Sequence, residues 1–201
     1  MKTLIIYAHP ETQGHGPFTL KLVEEWHNKN KIAYELIDLY KIKYDPVLHP
    51  DEHYTSGNTK ISEQNKKFQE KISKTDKLVF IYPVWWGSMP AIMKGFLDRV
   101  FTAGFAFKFE RVPVLSNYIG GIPVKLLKGK KAAVLLTTGT IKLFCFLVME
   151  NRFKNLIKND ILGFFGIKTK VFHTDWATKF NQKQMEKIRH NVKKAMGYLY
   201  S

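Results

Sequence analysis

Short apolar runs recur at intervals along the chain, and amphipathic segments separate them. The runs are Thr3 to Ala8, Ala33 to Leu39, Lys77 to Tyr82, Ala132 to Thr137 and Lys168 to Phe172. Continuous apolar runs of this length are typical of parallel strands that are covered on both faces. Their alternation with helical segments predicts an α/β fold with a doubly wound, five-stranded parallel sheet. Five strands favour the order 2-1-3-4-5, in one domain over residues 1–201.

Apolar residues spaced three and four apart predict the helices. The first follows Pro17 to about Lys29, and a second covers Ile61 to Ser73. The last helix is predicted to start at Asn181, with Gln184 three residues later as in a capping box. Two longer stretches are interpreted as loops: Tyr40 to Lys60 and Phe105 to Lys131.

Composition narrows the class of protein. The chain has 201 residues, 45% of them hydrophobic, which is enough for one full core. Cys145 is the single cysteine, so no intrachain disulfide can form, which fits a reducing cytoplasm. The amino terminus shows no signal-peptide pattern, and we expect no bound metal.

With a formal net charge of +15 at pH 7, the chain could bind nucleic acid, an acidic membrane surface or a phosphate-rich cofactor, and a solvated basic surface is favoured over a dedicated nucleic-acid site. The lysines are spread along the chain, mostly at positions that helical periodicity places towards solvent. No nucleic-acid-binding motif accompanies them, so we expect no nucleic-acid partner.

The most informative segment is Tyr82 to Phe101, which contains Pro83, Val84, Trp85, Trp86 and Gly87. Its pattern predicts the end of a strand, an aromatic turn and a helix that Ser88 caps, with Pro90 in the first turn of that helix. The turn therefore lies at the carboxyl end of a strand, where open α/β sheets bind ligands. Two adjacent tryptophans in extended backbone cannot face the same core, so at least one is expected to face a ligand or a partner.

A second candidate is the loop from His9 to Thr19. It brings hydroxyl and small residues, including Thr12, Gly14 and Gly16, to the amino end of a helix. The free N–H groups and the dipole there favour a phosphate.

These segments, with Thr137-Thr-Gly-Thr140 after a later strand, resemble the flavodoxin-like NAD(P)H:quinone oxidoreductases, the DT-diaphorase-like or Flavodoxin_2 family. The resemblance covers most of the chain, and the run Pro83-Val-Trp-Trp-Gly-Ser-Met-Pro-Ala91 is its specific signal. It implies a flavin cofactor, FMN favoured over FAD, with NAD(P)H as co-substrate. The flavin would carry the chemistry, so no conventional catalytic residue is assigned.

The resemblance also assigns the cofactor-binding residues. The first loop would hold the flavin phosphate and ribityl chain, the aromatic turn would line the ring, and the third loop would approach its other side. The residues implied are His9, Thr12, Pro17, Phe18, Thr19, Pro83, Val84, Trp85, Trp86, Gly87, Thr137, Thr138, Gly139 and Thr140.

The chain departs from these relatives after Thr140. An apolar run, Ile141 to Met149, replaces the polar and tyrosine residues that relatives usually have there. It is interpreted as the start of a core helix, with an apolar lid or a dimer contact as the alternative.

Phe105, Phe107 and Phe109 alternate and would point to one side of an extended stretch. In the resembling enzymes this region crosses a two-fold interface, so a homodimer is expected, with Trp86, Phe107 and Phe109 in the substrate pocket. The resulting interpretation is a cytoplasmic flavoprotein that transfers two electrons, by ping-pong kinetics, from NAD(P)H to a quinone or similar flat electrophile. The alternative is a flavoprotein regulatory subunit of a membrane potassium-efflux system, which would add a transporter as partner.

Overall fold

A five-stranded parallel sheet forms the centre of the computed structural model, which describes residues 2–52, 60–111 and 121–201. The strands in chain order are β1 (Thr3–Tyr7), β2 (Tyr34–Asp38), β3 (Lys77–Pro83), β4 (Phe107–Glu110), β5 (Ile122–Lys125), β6 (Lys131–Thr137) and β7 (Lys168–Thr174). The sheet order is β2-β1-β3-β6-β7, while β4 and β5 pair separately as an antiparallel hairpin. The five-stranded parallel sheet is confirmed. Its numbering differs from the predicted 2-1-3-4-5 because the hairpin strands precede β6.

The helices cover both faces of the sheet. They are α1 (His15–Lys29), α2 (Glu63–Ser73), α3 (Ala91–Val100), α4 (Lys142–Leu147), α5 (Arg152–Asn155), α6 (Gly163–Phe165) and α7 (Gln182–Tyr200), with a 3₁₀ turn at Pro50–Glu52 and a π-helical segment at Leu156–Leu162. Alternate residues of each strand point to opposite faces. Ile5 and Val79 therefore pack against α1 and α7, while Leu4 and Phe80 pack in the core on the other face.

The predicted cap of the last helix is confirmed. The side chain of Asn181 accepts a hydrogen bond from the N–H of Gln184 at 3.0 Å. A cap of this type stabilises a helix by about 1 kcal/mol. Val192, Ala195 and Leu199 then lie buried along one side of α7, as their spacing predicts.

Three local predictions were wrong. Ser88 does not cap α3; Pro90 occupies the N-cap, because Ser88 is held in the preceding turn. The first helix begins at His15 and includes the glycine before Pro17. The stretch Phe105 to Lys131 is not all loop, because it contains the β4–β5 pair, and the extended backbone predicted from the alternating Phe107 and Phe109 lies in β4. Part of the predicted loop from Tyr40 to Lys60 lies outside the described residues.

The apolar run after Thr140 forms α4, but it does not enter the core. Of its residues only Cys145 is buried, and the core interpretation of this run was wrong. Across the described ranges, every helix is too short or too polar to cross a bilayer.

Candidate functional site

The aromatic turn after β3 is a tight two-residue hairpin. The N–H of Trp85 donates to the Ser88 carbonyl at 2.9 Å, and the N–H of Ser88 returns a bond to Trp85 at 3.0 Å. Trp86 and Gly87 sit between them at φ +50° and +74°. Left-handed backbone at both central positions is typical of a type I′ hairpin turn, which glycine adopts without strain whereas tryptophan does not. Trp86 is fully exposed and Trp85 is 43% exposed, so both rings are presented to the outside.

Hydrogen bonding leaves specific N–H groups of this turn open. The N–H of Val84 donates to the Thr137 carbonyl at 2.8 Å, which ties the turn to the end of β6. Among the described residues, the N–H groups of Trp86 and Gly87 have no protein acceptor, and the same holds for Gly139 and Thr140 in the loop after β6. Two neighbouring loops therefore each offer a pair of unused donors at the carboxyl edge of the sheet.

The amino end of α1 lies at the same edge. Its N-cap, Gly14, has φ +100° and provides no side-chain cap, and the first turn contains no acidic residue. The first N–H groups of the helix and its positive dipole end are therefore available to an anion. His15 adds a donor or acceptor here, because its buried Nε2 has no hydrogen-bond partner among the described residues.

His9 packs directly over this helix end. Its Nδ1 accepts a bond from the N–H of Glu11 at 3.2 Å. A Cβ atom at Gly16 would lie 2.4 Å from Cδ2 of the His9 ring, so only glycine permits this packing. Burial lowers the pKa of both His9 and His15, although Glu11 opposes the shift, so their surroundings favour the neutral rings.

Behind the third loop lies a buried polar cluster. The hydroxyl of Thr138 donates to the Thr140 carbonyl at 2.9 Å and lies 2.7 Å from Nε2 of His173. With the hydroxyl proton used, Nε2 is the donor to Thr138, and the unprotonated Nδ1 is left without a partner among the described residues. Cys145 closes the cluster, with its sulfur 3.9 Å from the Thr138 oxygen. The cluster fixes the shape of the Thr137–Thr140 loop from below.

A cavity of about 480 Å³ brings the three loops together. It is lined by His9, Pro10, Glu11, His15, Pro83, Val84, Trp85, Trp86, Thr137, Thr138, Gly139 and Ala177. It lies at the carboxyl ends of β1, β3 and β6, the edge at which this class of sheet binds ligands. Eight of the predicted site residues line it.

Other predicted residues lie elsewhere. Thr12 and Pro17 line a neighbouring cavity of about 580 Å³, which shares His9, Pro10 and Glu11 with the first. Phe18 packs edge-on against Phe180 at 5.5 Å between ring centroids. The Thr19 hydroxyl donates to the carbonyl of His15 at 2.7 Å and is buried in the helix. Gly87 and Thr140 lie beside the cavity, in the turn and the loop that line it.

Phe107 and Phe109 are not part of this cavity. Phe107 packs against Phe164 and Phe165, with centroids 5.1 and 6.0 Å away, and lines a separate cavity with Phe101. Phe165 lies three residues before Lys168, where β7 begins, so this aromatic cluster lies near the amino end of that strand. Within one chain, the hairpin is therefore remote from the tryptophan turn.

Four lining residues were not predicted: Pro10, Glu11, His15 and Ala177. The first three lie inside the glycine- and hydroxyl-rich loop, where their spacing gave no separate signal. Ala177 comes from the β7–α7 connection, and its N–H donates to the Thr138 carbonyl at 2.8 Å. Its only sequence signal is its position after a strand.

The site suits a flat, conjugated ring that is joined to a phosphate. The Trp85–Trp86 turn and the loop after β6 offer aromatic faces and unused N–H donors, and the end of α1 offers an anion site in the same cavity. Within the described residues, no cluster of His, Cys, Asp or Glu side chains could hold a metal ion. The chemistry available here is binding and electrostatic stabilisation of a bound redox group, since the lining side chains include no serine, cysteine or lysine.

Comparison with known proteins agrees with this arrangement. The model of the Flavodoxin_2 family, described by its flavodoxin-like fold, matches residues 1–198. A protein from Haemophilus influenzae, named as an uncharacterized NAD(P)H oxidoreductase, is 29% identical over 86% of this chain and 82% of its own length. A ribosyldihydronicotinamide dehydrogenase [quinone] from Mus musculus is 31% identical over 69% of this chain, and the match spans 63%, under two thirds, of that protein. The crystal structure of Smu.1420 from Streptococcus mutans superposes with a TM-score of 0.82 at 30% identity, covering 96% of this chain and 97% of that one.

Proposed function

The chain belongs to the Flavodoxin_2 family, and on that premise we propose that it is a cytoplasmic, flavin-dependent NAD(P)H oxidoreductase that reduces a quinone or similar flat electrophile. The observation that carries the proposal is the single cavity that joins an anion-binding helix end to an exposed tryptophan turn. Relatives named as NAD(P)H oxidoreductase and quinone dehydrogenase support it. A bound flavin accepts two electrons as hydride from NAD(P)H and returns them to the acceptor.

The residues of this chain would hold and tune that group. The N–H groups of Trp86, Gly87, Gly139 and Thr140 have no protein acceptor among the described residues, and they would stabilise negative charge that develops on the ring. The first turn of α1, with His9 and His15, would hold the phosphate. NAD(P)H and the acceptor would use this one cavity in succession, as in ping-pong kinetics.

FMN is the favoured cofactor over FAD. The neighbouring cavity, where the chain has room for more than a mononucleotide, is lined by the carboxylates of Glu11, Glu24 and Asp38 as well as by Lys21 and Lys41. Glu11 lines both cavities, so the difference lies in Glu24 and Asp38, and Lys21 is already paired with Glu25 at 3.8 Å; the remaining negative charge disfavours a second phosphate there.

The test is the visible spectrum of the purified protein, the mass of any cofactor released on denaturation, and NADPH oxidation with and without a quinone. We expect stoichiometric FMN, quinone-stimulated oxidation, and parallel double-reciprocal plots. A protein that carries no flavin and takes up none on reconstitution would refute the proposal.

Replacing Trp86 by glycine should move stability and function in opposite directions. The left-handed backbone at Trp86 costs about 1 kcal/mol for a non-glycine residue, so Trp86→Gly should raise the free energy of unfolding by about that amount. Loss of the ring should weaken flavin binding or quinone reduction by about tenfold. Denaturant unfolding and flavin titration measure the two effects. Equal flavin affinity and equal turnover in the variant would remove Trp86 from the site.

The hairpin is proposed as the core of a homodimer interface. Phe107 is packed within its own chain, while Phe109 on the same side of β4 is 44% exposed. A charge at Phe109 would be buried between two chains, so Phe109→Asp should raise the dimer dissociation constant about a hundredfold or more. Sedimentation velocity at micromolar concentration measures this, with Lys108→Ala as the control on the other side of the strand. A wild-type protein that is monomeric and turns over quinone at full rate contradicts the interface.

A further inference from the structure

Helix α4 carries a cluster of exposed apolar side chains, here called the apolar tip. It consists of Leu143, Phe144, Phe146, Leu147 and Val148. Phe146 and Leu147 are 62% and 65% exposed, and the others are at least 47% exposed. Exposed apolar clusters of this kind mark interaction sites.

The geometry of the tip indicates what can cover it. Residues of an α-helix are about 100° apart around the axis, so these five positions span an arc of roughly 200°. Cys145 is the buried side chain of the helix and contacts the cluster with Thr138, and the N–H of Lys142 ties the start of the helix to Asp175 at 3.1 Å. A partner protein with a flat surface would cover one side of such a projection, whereas a fluid apolar medium surrounds all of it.

A basic cleft adjoins the tip. It has a volume of about 610 Å³, shares Lys142 with α4, and is lined by the side chains of Lys142, Lys154, Lys170 and Lys194 together with His173, Asn191, Tyr198 and Ser201. No ion pair among the described residues involves any of these four lysines. His173, only 6% exposed, lines the cleft, and its Nδ1 lacks a hydrogen-bond partner within the described part of the chain.

The acidic groups nearby do not offset this charge. Glu150, beside the tip, pairs with Arg152 at 3.3 Å, and Asp175 pairs with Lys187 at 2.9 Å. The cleft therefore keeps a net positive charge on a chain that already carries +15. A second copy of this chain would place one basic cleft and tip against another, which like-charge repulsion disfavours. An anionic surface is complementary to it.

We propose that the apolar tip and the basic cleft form a docking site for an anionic phospholipid bilayer, with the tip inserted below the headgroups and the lysines of the cleft on lipid phosphates. This pairing of buried apolar area with Lys–phosphate attraction is what holds peripheral proteins on membranes. The site lies beside the tryptophan turn, because the Cε of Met149 is 3.3 Å from where a Cβ at Gly87 would be. Docking would hold the mouth of the candidate cavity at the lipid surface. The inference concerns lipid binding and does not depend on which reaction the cavity performs.

Co-sedimentation of the full chain with vesicles tests the proposal. Vesicles of phosphatidylcholine alone are compared with vesicles that contain about one third phosphatidylglycerol. We expect about tenfold or stronger binding to the anionic vesicles, and a decrease when salt is raised. Leu143→Ser with Phe146→Ser should weaken binding about tenfold or more, and so should Lys142→Gln with Lys154→Gln.

Matched variants control for general effects. Val47→Ser removes an exposed apolar side chain away from the tip, and Lys29→Gln with Lys67→Gln removes two charges on α1 and α2. Both should bind as the wild type does. All substitutions are at exposed or half-buried positions, and circular dichroism checks that each variant is folded.

Three results would overturn the proposal. The first is a wild-type protein that binds neither type of vesicle, or both equally. The second is an equal loss of binding in the α1–α2 lysine control, which would mean that overall charge alone drives binding. The third is a wild-type protein that forms a dimer and does not bind vesicles, and that becomes monomeric in the Leu143→Ser, Phe146→Ser variant. This result would mean that a second copy covers the tip.

Discussion

Gly16→Ala should reduce flavin affinity about tenfold or more while the protein stays folded. A Cβ at position 16 would lie 2.4 Å and 2.7 Å from two atoms of the His9 ring, closer than packed atoms approach. The ring must therefore leave its place over the amino end of α1, where we propose that the phosphate binds. Loss of a hydrogen bond to a charged group costs about 1.5–3 kcal/mol, which is the source of the expected change. Fluorescence titration of the apoprotein with FMN measures it.

The effect on stability should be smaller than the effect on binding. Overpacking costs about 1–3 kcal/mol, and the preference of helices for alanine over glycine returns about 1 kcal/mol. Gly197→Ala in α7 is the matched control, because a Cβ there has no neighbour within 4 Å among the described atoms. It should leave FMN affinity unchanged. Wild-type affinity in Gly16→Ala would show that the phosphate does not depend on the position of His9.

Acidification from pH 7 to pH 5 should reduce the free energy of unfolding by about 2 kcal/mol through His173 alone. The pKa of His173 is lowered to about 4, mainly by burial and in part by the nearby charge of Lys154, while Asp175 opposes the shift. In the unfolded chain, histidine has a pKa near 6.5 and takes up a proton first as the pH falls. The unfolded state then binds more protons than the native state. The contribution of His173 to the free energy of unfolding is therefore present above pH 6.5 and is lost progressively down to about pH 4.

Urea unfolding of the wild type and of His173→Gln, each at pH 7 and pH 5, measures this contribution. Glutamine is neutral at both pH values. The difference in the free energy of unfolding between pH 7 and pH 5 should therefore be about 2 kcal/mol smaller in the variant. His9, His15 and His27 also have pKa values lowered by burial, so part of the pH dependence of the free energy of unfolding remains in His173→Gln. His190→Gln, at an exposed position of α7, is the control and should keep the full slope. Equal slopes in wild type and His173→Gln would contradict the assignment.

Much of the site could be predicted because its residues are consecutive in the chain. Pro83 to Trp86 and Thr137 to Gly139 follow strands directly, and a strand that ends at the ligand-binding edge delivers the next few residues there. Residues on the first turns of a helix are harder to place. Thr19 was predicted to bind the phosphate through its hydroxyl. It lies one helical turn after His15, and its hydroxyl donates to the carbonyl of that residue instead.

The sequence by itself determined the five strands of the parallel sheet, the confirmed cap of α7 and the position of the tryptophan turn, since each depends on neighbours in the chain. Tertiary structure alone decided the rest. It brought the N–H of Ala177 to the Thr138 carbonyl and placed His173 within hydrogen-bond distance of Thr138, 35 residues away in the chain. It also packed Phe107 against Phe164 and away from the cavity. It also left the apolar residues of α4 exposed, where their composition predicted a core helix. Burial depends on which surfaces the other elements have already covered, and a hydrophobic pattern records which residues favour burial but not whether a partner surface is present.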